Sequence, residues 1–173
     1  LKKDKKNVQL TAVSTARGVT SKSVARKFKF IMATTSNEEI LNNKEIDAVF
    51  VATRHHLHAP CVIEGVKQNK AVFVEKPLAM DYGQLKQVIE AQQAHGGKIM
   101  VGFNRRFSPC VVEAKKFLLK KIQPCAAIYR VNAGFVAKEH WIQDPIEGGG
   151  RIIGEVCHFV DLLTYLIGSL PIK

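Results

Sequence analysis

The chain has 173 residues, 46% hydrophobic and 24% charged, an ordinary globular balance with room for one domain plus part of a second. No apolar run approaches the roughly 20 residues that span a bilayer, and the opening Leu1-Lys2-Lys3-Asp4-Lys5-Lys6 is too polar for the core of a signal peptide. The formal charge of +11 is spread along the chain without a nucleic-acid motif; it reads as solvated helix faces, part of it available to an anionic cofactor or substrate, and no nucleic-acid or membrane partner is expected.

In chain order, residues 8–14 read as a strand, and Ser36-Asn37-Glu38-Glu39 as a capping box in which Ser36 caps a helix and Glu39 reaches back. Residues 47–53, 71–75 and 98–103 are short apolar runs rich in β-branched and aromatic residues. Their apolarity is continuous rather than alternating, which predicts strands of a parallel sheet covered on both sides. Asp81 is placed to cap a helix that runs to about His95, where Gly96-Gly97 stops it. Strand and helix alternating at this spacing predict an α/β fold: a doubly wound, Rossmann-like parallel sheet. GxGxxG, the phosphate loop of such folds, is absent. If residues 8–14 form the second strand, the first strand and its glycine loop precede Leu1, so the chain reads as truncated at its front.

Beyond residue 107 the alternation ends. A helix is expected after Ser108-Pro109, a strand over residues 126–133, a polar loop holding Trp141 and Asp144, and a helix over residues 151–166 behind Gly148-Gly149-Gly150. The expected organisation is therefore a partial dinucleotide-binding domain over 1–107 and the start of an α+β substrate domain over 108–173. The four cysteines, Cys61, Cys110, Cys125 and Cys157, are widely spaced and form no CxxC, which suggests reduced thiols in a cytoplasmic protein.

Open α/β sheets bind ligands beyond the carboxyl ends of their strands. Thr53-Arg54-His55-His56, Glu75 and Lys76, and Asn104 and Arg105 all lie at such ends, with His58 opening the next helix. At the end of the 8–14 strand stand Ser14, Thr15 and Arg17, without the carboxylate that would bind the ribose of NAD. Arg17 suits a 2′-phosphate, so the cofactor reads as NAD or NADP, with NADP favoured. His55, His56 and His58 lack the spacing of a helix-borne metal pair, and no metal is expected. In the 151–166 helix, at 100° per residue, Arg151, Glu155, His158 and Asp161 fall within roughly 120°. Ile152, Ile153, Val156, Val160 and Leu163 cover much of the other side. Such a stripe either faces water or lines a cleft with His158 as acid/base and a carboxylate orienting it.

Three segments together resemble one family: Glu75-Lys76-Pro77, Gly102-Phe103-Asn104-Arg105-Arg106-Phe107, and Gly148-Gly149-Gly150 followed by His158 and Asp161. They are similar, in order and position, to the glucose–fructose oxidoreductase and inositol dehydrogenase family, Gfo/Idh/MocA. The wording Gly-Gly-Gly-Arg-Ile-Ile-Gly-Glu-Val-Cys-His further resembles a subgroup fused behind a zinc-type alcohol dehydrogenase module. The resemblance implies hydride transfer between a nicotinamide and a hydroxyl-bearing carbon of a sugar, cyclitol or nucleotide-sugar. It places Lys76 beside the nicotinamide, where sequence alone leaves an exposed turn lysine. A small polyol or sugar is the expected partner, and a homo-oligomer the expected state of the intact protein. The family commonly carries an aspartate four residues before the histidine; here that position is Gly154, and Glu155 substitutes only in part. This departure is what favours the alternative, a nicotinamide-binding regulatory or scaffold module without catalysis.

Overall fold

The computed structural model describes residues 8–120 and 126–169; Cys125 and the outer ends of both expected domains lie outside them. Five short strands form, all in parallel pairs. β1 (Ala12–Ser14) pairs with β2 (Met32–Thr34), and β3 (Ala48–Val51), β4 (Ala71–Val74) and β5 (Ile99–Val101) form a second sheet in that order. β1, β3, β4 and β5 arise from the four apolar runs read in the sequence. β2, and the helix α1 (Gly18–Phe28) before it, carry too weak an apolar signal to stand out; α1 buries only Ser21 and Ala25.

The register aligns Val51, Val74 and Val101 in one row at the strand ends. Thr53, Glu75, Lys76 and Phe103 leave the sheet just past that row, so the three loops open on one edge. The core lies between the sheet and the helices α3 (His58–Lys67) and α4 (Tyr82–His95): Val49, Val51, Val72 and Val74 meet Val62, Val66 and Val88, and all seven are buried. Crossovers between parallel neighbours are right-handed, so a run β3-α3-β4-α4-β5 that advances in one direction puts both helices on one face. The other face bears Phe50 and Phe73, ring centroids 5.3 Å apart, and Met100. Phe50 is 62% exposed. The expectation of strands covered on both sides is therefore met on one side among the described residues, while the parallel α/β architecture stands.

Local signals were read well. Asp81 Oδ1 accepts from Gln84 N, and α4 ends at Gly96 in the left-handed conformation, as the Gly pair predicted. Ser36 Oγ accepts from Glu39 N at the start of α2 (Asn37–Leu41), but the reciprocal half of the capping box is absent because Ser36 N donates to Thr34 Oγ1 instead. Lys70, 4% exposed, donates to the carbonyls of Asn43 and Ile46 and closes the loop that leads into β3.

Past residue 107, α5 (Pro109–Leu118), with Pro109 in its first turn, packs against α6 (Cys157–Ile167). Two expectations change here. Residues 126–133 form no strand: no neighbouring ladder exists for them among the described residues, Ile128 is 92% exposed, and an unpaired strand has no stabilising hydrogen bonds. The expected 151–166 helix opens with a π-helical turn, Ile152–Val156, before α6 begins. Such turns break the 100° register and recur at functional sites.

Candidate functional site

The site is built where the β3, β4 and β5 ends meet the glycine turn and α6. Asp144 shapes that turn: its Oδ1 accepts from Ile146 N and Glu147 N, which holds its carboxyl below the usual carboxylate range, and its carbonyl accepts from Gly148 N and Gly149 N. Gly148 must be glycine, because a Cβ there would stand 2.5 Å from the backbone of Trp141 and Ile142. The segment after β3 grips this turn. Arg54 pairs with Glu147, His56 N donates to the Glu147 carbonyl, and His55 Nδ1 donates to the Gly148 carbonyl at 2.7 Å.

His55 is 5% exposed, with Trp141 edge-on to its ring at 4.9 Å. Its ring lies over Gly154: a Cβ added at Gly154 would stand 2.8 Å from His55 Cε1. The family's aspartate therefore has no room at position 154. On the other side of Gly154, Lys76 Nζ donates to its carbonyl at 2.6 Å, leaving two N–H groups of the ammonium for other partners.

His158 is 8% exposed, and its Nδ1 is buried without a hydrogen-bond partner. Burial, then the charges of Lys76 and Arg105, push its pKa below the usual histidine range, against the opposing pull of Glu75 and Asp161. Burial likewise lowers that of His55, opposed by the bond to Gly148 and reinforced by His58 and Lys76. Two neutral imidazoles thus flank one lysine at pH 7. The Cys157 thiol is pushed up by burial and stays protonated, which removes it as a nucleophile.

The stripe on the last helix points inward: His158 and the Asp161 side chain are buried, while Ile152, Val156 and Val160 are exposed. The reading in which the polar side faces water is overturned, and so is the expected carboxylate partner. Asp161 is held by Arg106 through both oxygens, including Arg106 Nε at 2.7 Å from Oδ2. Glu155 is held by Arg151 at 3.0 Å. Neither carboxylate bonds His158.

The expected cofactor residues divide. His58 is 1% exposed, with Nδ1 2.7 Å from the Pro77 carbonyl and Nε2 3.0 Å from that of Thr53. A ring held in this way ties the β3 and β4 ends together. Glu75 and Lys76 lie beside that tie, and Thr53 Oγ1 turns to the Arg54 carbonyl at 3.3 Å. Asn104 and Arg105 open the turn after β5; Arg105 sits over the Phe159 ring at 5.0 Å, donates to Tyr129 Oη, and has no carboxylate partner among the described residues. Ser14, Thr15 and Arg17 gather at the β1–α1 junction. There Thr15 Oγ1 donates to the Arg17 carbonyl and Arg17 caps α1 with its side chain exposed. Arg106, Glu147 and Gly154 were missed as site residues, and His55 was placed at the strand end without its partner; for His55, Arg106 and Glu147 the partners lie 55 to 93 positions away, beyond any local pattern.

Comparison with known proteins places these features in context. Residues 1–103 match the profile of the oxidoreductase family with an NAD-binding Rossmann fold, Gfo/Idh/MocA. The chain is 30% identical over 157 residues to levoglucosan dehydrogenase of Pseudarthrobacter phenanthrenivorans, covering 84% of this chain and 39% of that protein. It is 31% identical over 150 residues to inositol 2-dehydrogenase of Acidothermus cellulolyticus, covering 86% and 43%. The solved structure of levoglucosan dehydrogenase in complex with NADH and levoglucosan superposes with a TM-score of 0.77 at 27% identity, over 92% of this chain and 46% of that one. The chain spans less than half the length of each of these relatives.

Proposed function

The chain belongs to the Gfo/Idh/MocA oxidoreductase family, and from that premise we propose that the intact protein transfers a hydride between a nicotinamide cofactor and a hydroxyl-bearing carbon of a sugar, cyclitol or nucleotide-sugar. The observation that carries this reading is that Lys76, with two N–H groups left by its bond to Gly154, lies near enough to buried, neutral His158 for its charge to lower the histidine pKa, while His158 Nδ1 has no hydrogen-bond partner among the described residues. A bound nicotinamide supplies the hydride acceptor or donor. The chain's residues supply the rest. In the oxidative direction Lys76 donates hydrogen bonds to the substrate oxygen, and His158 takes the hydroxyl proton as the carbon gives up its hydride. The reverse direction returns that proton. An orphaned ring nitrogen at the strand ends fits such a ligand, because buried polar atoms otherwise find partners.

The Thr53, Glu75 and Asn104 ends fit the nicotinamide half of the cofactor, and Ser14, Thr15 and Arg17 the adenosine half. Arg17, beside no acidic residue in the first turn of α1, favours NADP over NAD. Division near residue 107, a homo-oligomeric intact protein and a cytoplasmic location, in line with the free thiols Cys61, Cys110 and Cys157, belong to the same reading. The competing reading, a cofactor-binding module without turnover, draws on the absence, among the described residues, of a carboxylate bonded to His158.

The test is hydride transfer by the intact protein with a panel of sugars and cyclitols. Lys76→Ala and His158→Ala should each lower single-turnover rates by about 10²–10⁴-fold with cofactor affinity nearly unchanged, as loss of a positioned acid/base does. The double mutant should lose little more than the worse single one, because groups acting as a unit are not additive. A wild-type rate in His158→Ala would remove the histidine from the chemistry. Arg17→Ala should weaken NADPH and leave NADH unchanged; equal weakening of both refutes the NADP preference.

A further inference from the structure

We propose that His55 is a positioning residue for Lys76: its ring, tied to Gly148 and seated over Gly154, fixes the backbone carbonyl against which the lysine is held. Three observations converge on it. The imidazole is buried at the centre of the contacts between the β3 end and the glycine turn, with Trp141 against its edge. Its Nδ1 must carry the proton, because the Gly148 carbonyl only accepts. Its Cε1 and Nδ1 stand 2.8 and 3.3 Å from where a Gly154 Cβ would be. No other contact to that Cβ position is as close; Ile142 Cδ1 stands at 3.5 Å.

The consequence runs through one peptide unit. Gly154 lies within the π-helical turn and presents its carbonyl to Lys76 Nζ at 2.6 Å. His55 packs on the Cα side of that residue and Lys76 hydrogen-bonds its carbonyl. Residues 55 and 154 are therefore a matched pair. A side chain at 154 must displace the ring, and loss of the ring frees the turn that carries the carbonyl. Misplacement of a catalytic group by about 1 Å costs on the order of 10²-fold in rate. The effect on turnover rests on the function proposed above for Lys76; the effect on the geometry of Lys76 does not.

The test is competitive acetylation of the intact protein under native conditions, with labelling of Lys76 compared by mass spectrometry with exposed Lys86. His55→Ala should raise relative labelling of Lys76 by on the order of tenfold, the weight of one lost hydrogen bond. Gly154→Ala, which pushes the ring aside without deleting it, should do likewise. His55→Ala/Gly154→Ala should do no more than His55→Ala alone, because the added methyl no longer meets a ring. Val66→Ala, a buried core truncation on α3, should leave Lys76 labelling unchanged even though it lowers stability. The single variants should also lose kcat by about 10–100-fold with a smaller change in KM. Unchanged labelling in His55→Ala, full additivity in the double variant, or an equal response in Val66→Ala would each overturn the proposal. If labelling responds as described while turnover does not, His55 positions Lys76 and the catalytic role of Lys76 is the part that fails.

Discussion

Replacing either partner of the Arg106–Asp161 pair decides whether Asp161 serves the histidine or the arginine. The Asp161 side chain is 8% exposed and that of Arg106 37%, so Arg106→Leu strands a nearly buried carboxylate, while Asp161→Asn strands a guanidinium that water still reaches. Breaking a fully buried pair from one side costs about 3–5 kcal/mol. Screening at the exposed arginine brings the expectation here to about 2–3 kcal/mol for Arg106→Leu and about 1–2 kcal/mol for Asp161→Asn. In a domain of about 150–250 residues each kcal/mol moves the thermal midpoint by about 2–4 °C. Arg106→Leu should therefore lower it by about 4–12 °C. The assay is a double-mutant cycle of thermal unfolding on the intact protein, with turnover measured on the same four variants. The two single losses should be non-additive by at least about 1 kcal/mol, and the two variants should affect turnover alike, because each acts by loosening α6 from the turn after β5. Additive stabilities, together with a turnover loss confined to Asp161→Asn, would show that Asp161 orients His158 and refute this reasoning.

Acidification should destabilise the protein through the buried histidines His55 and His158. The folded pKa values of His55 and His158 lie below the ordinary histidine range near 6.5. In the window between, the unfolded chain binds more protons than the folded one, so stability rises with pH through that window and is lost as pH falls below about 6.5. The slope is at most about 1.4 kcal/mol per pH unit for each histidine. Urea midpoints measured from pH 7.5 to 5 in wild type and in His55→Phe should show a shallower decline in the variant; parallel curves would remove His55 from the effect. Lys70→Met keeps the buried stem but leaves the Asn43 and Ile46 carbonyls without their ammonium; it should cost about 1–3 kcal/mol of stability. A Lys70→Met urea midpoint equal to wild type would mean that water takes the ammonium's place.

The parallel sheet was legible because two-sided apolarity at 47–53, 71–75 and 98–103 and the caps at Asp81 and Gly96 are local signals. The order β3-β4-β5 then follows from short connections and right-handed crossovers. What was not legible depended on neighbours. β2 is three residues of intermediate burial, indistinguishable by pattern from loop until β1 supplies its ladder. Residues 126–133 show the converse: strand-like composition with no ladder to join. The strand-end placement of Lys76 and the burial of His158 on the last helix follow the sequence reading. The connections within the site do not, because Asp161 and Glu155 each found an arginine closer than the histidine.

The inward polar stripe shows why helical periodicity alone misleads at such a site. A polar face is normally assigned to solvent because burying charge without partners is costly. Here the partners come from other segments. Arg106 from the turn after β5 meets Asp161, Lys76 from the β4 end meets the Gly154 carbonyl, and His55 from the β3 end fills the space over Gly154. Each arrives from the carboxyl end of a different strand of one parallel sheet. The sheet register that aligns Val51, Val74 and Val101 is therefore what lets α6 turn its charged side in. Among these groups the His158 ring nitrogen is left unmatched. The orphaned atom marks where the chain's own partners stop, and in the proposed reaction the ring that carries it serves the substrate hydroxyl.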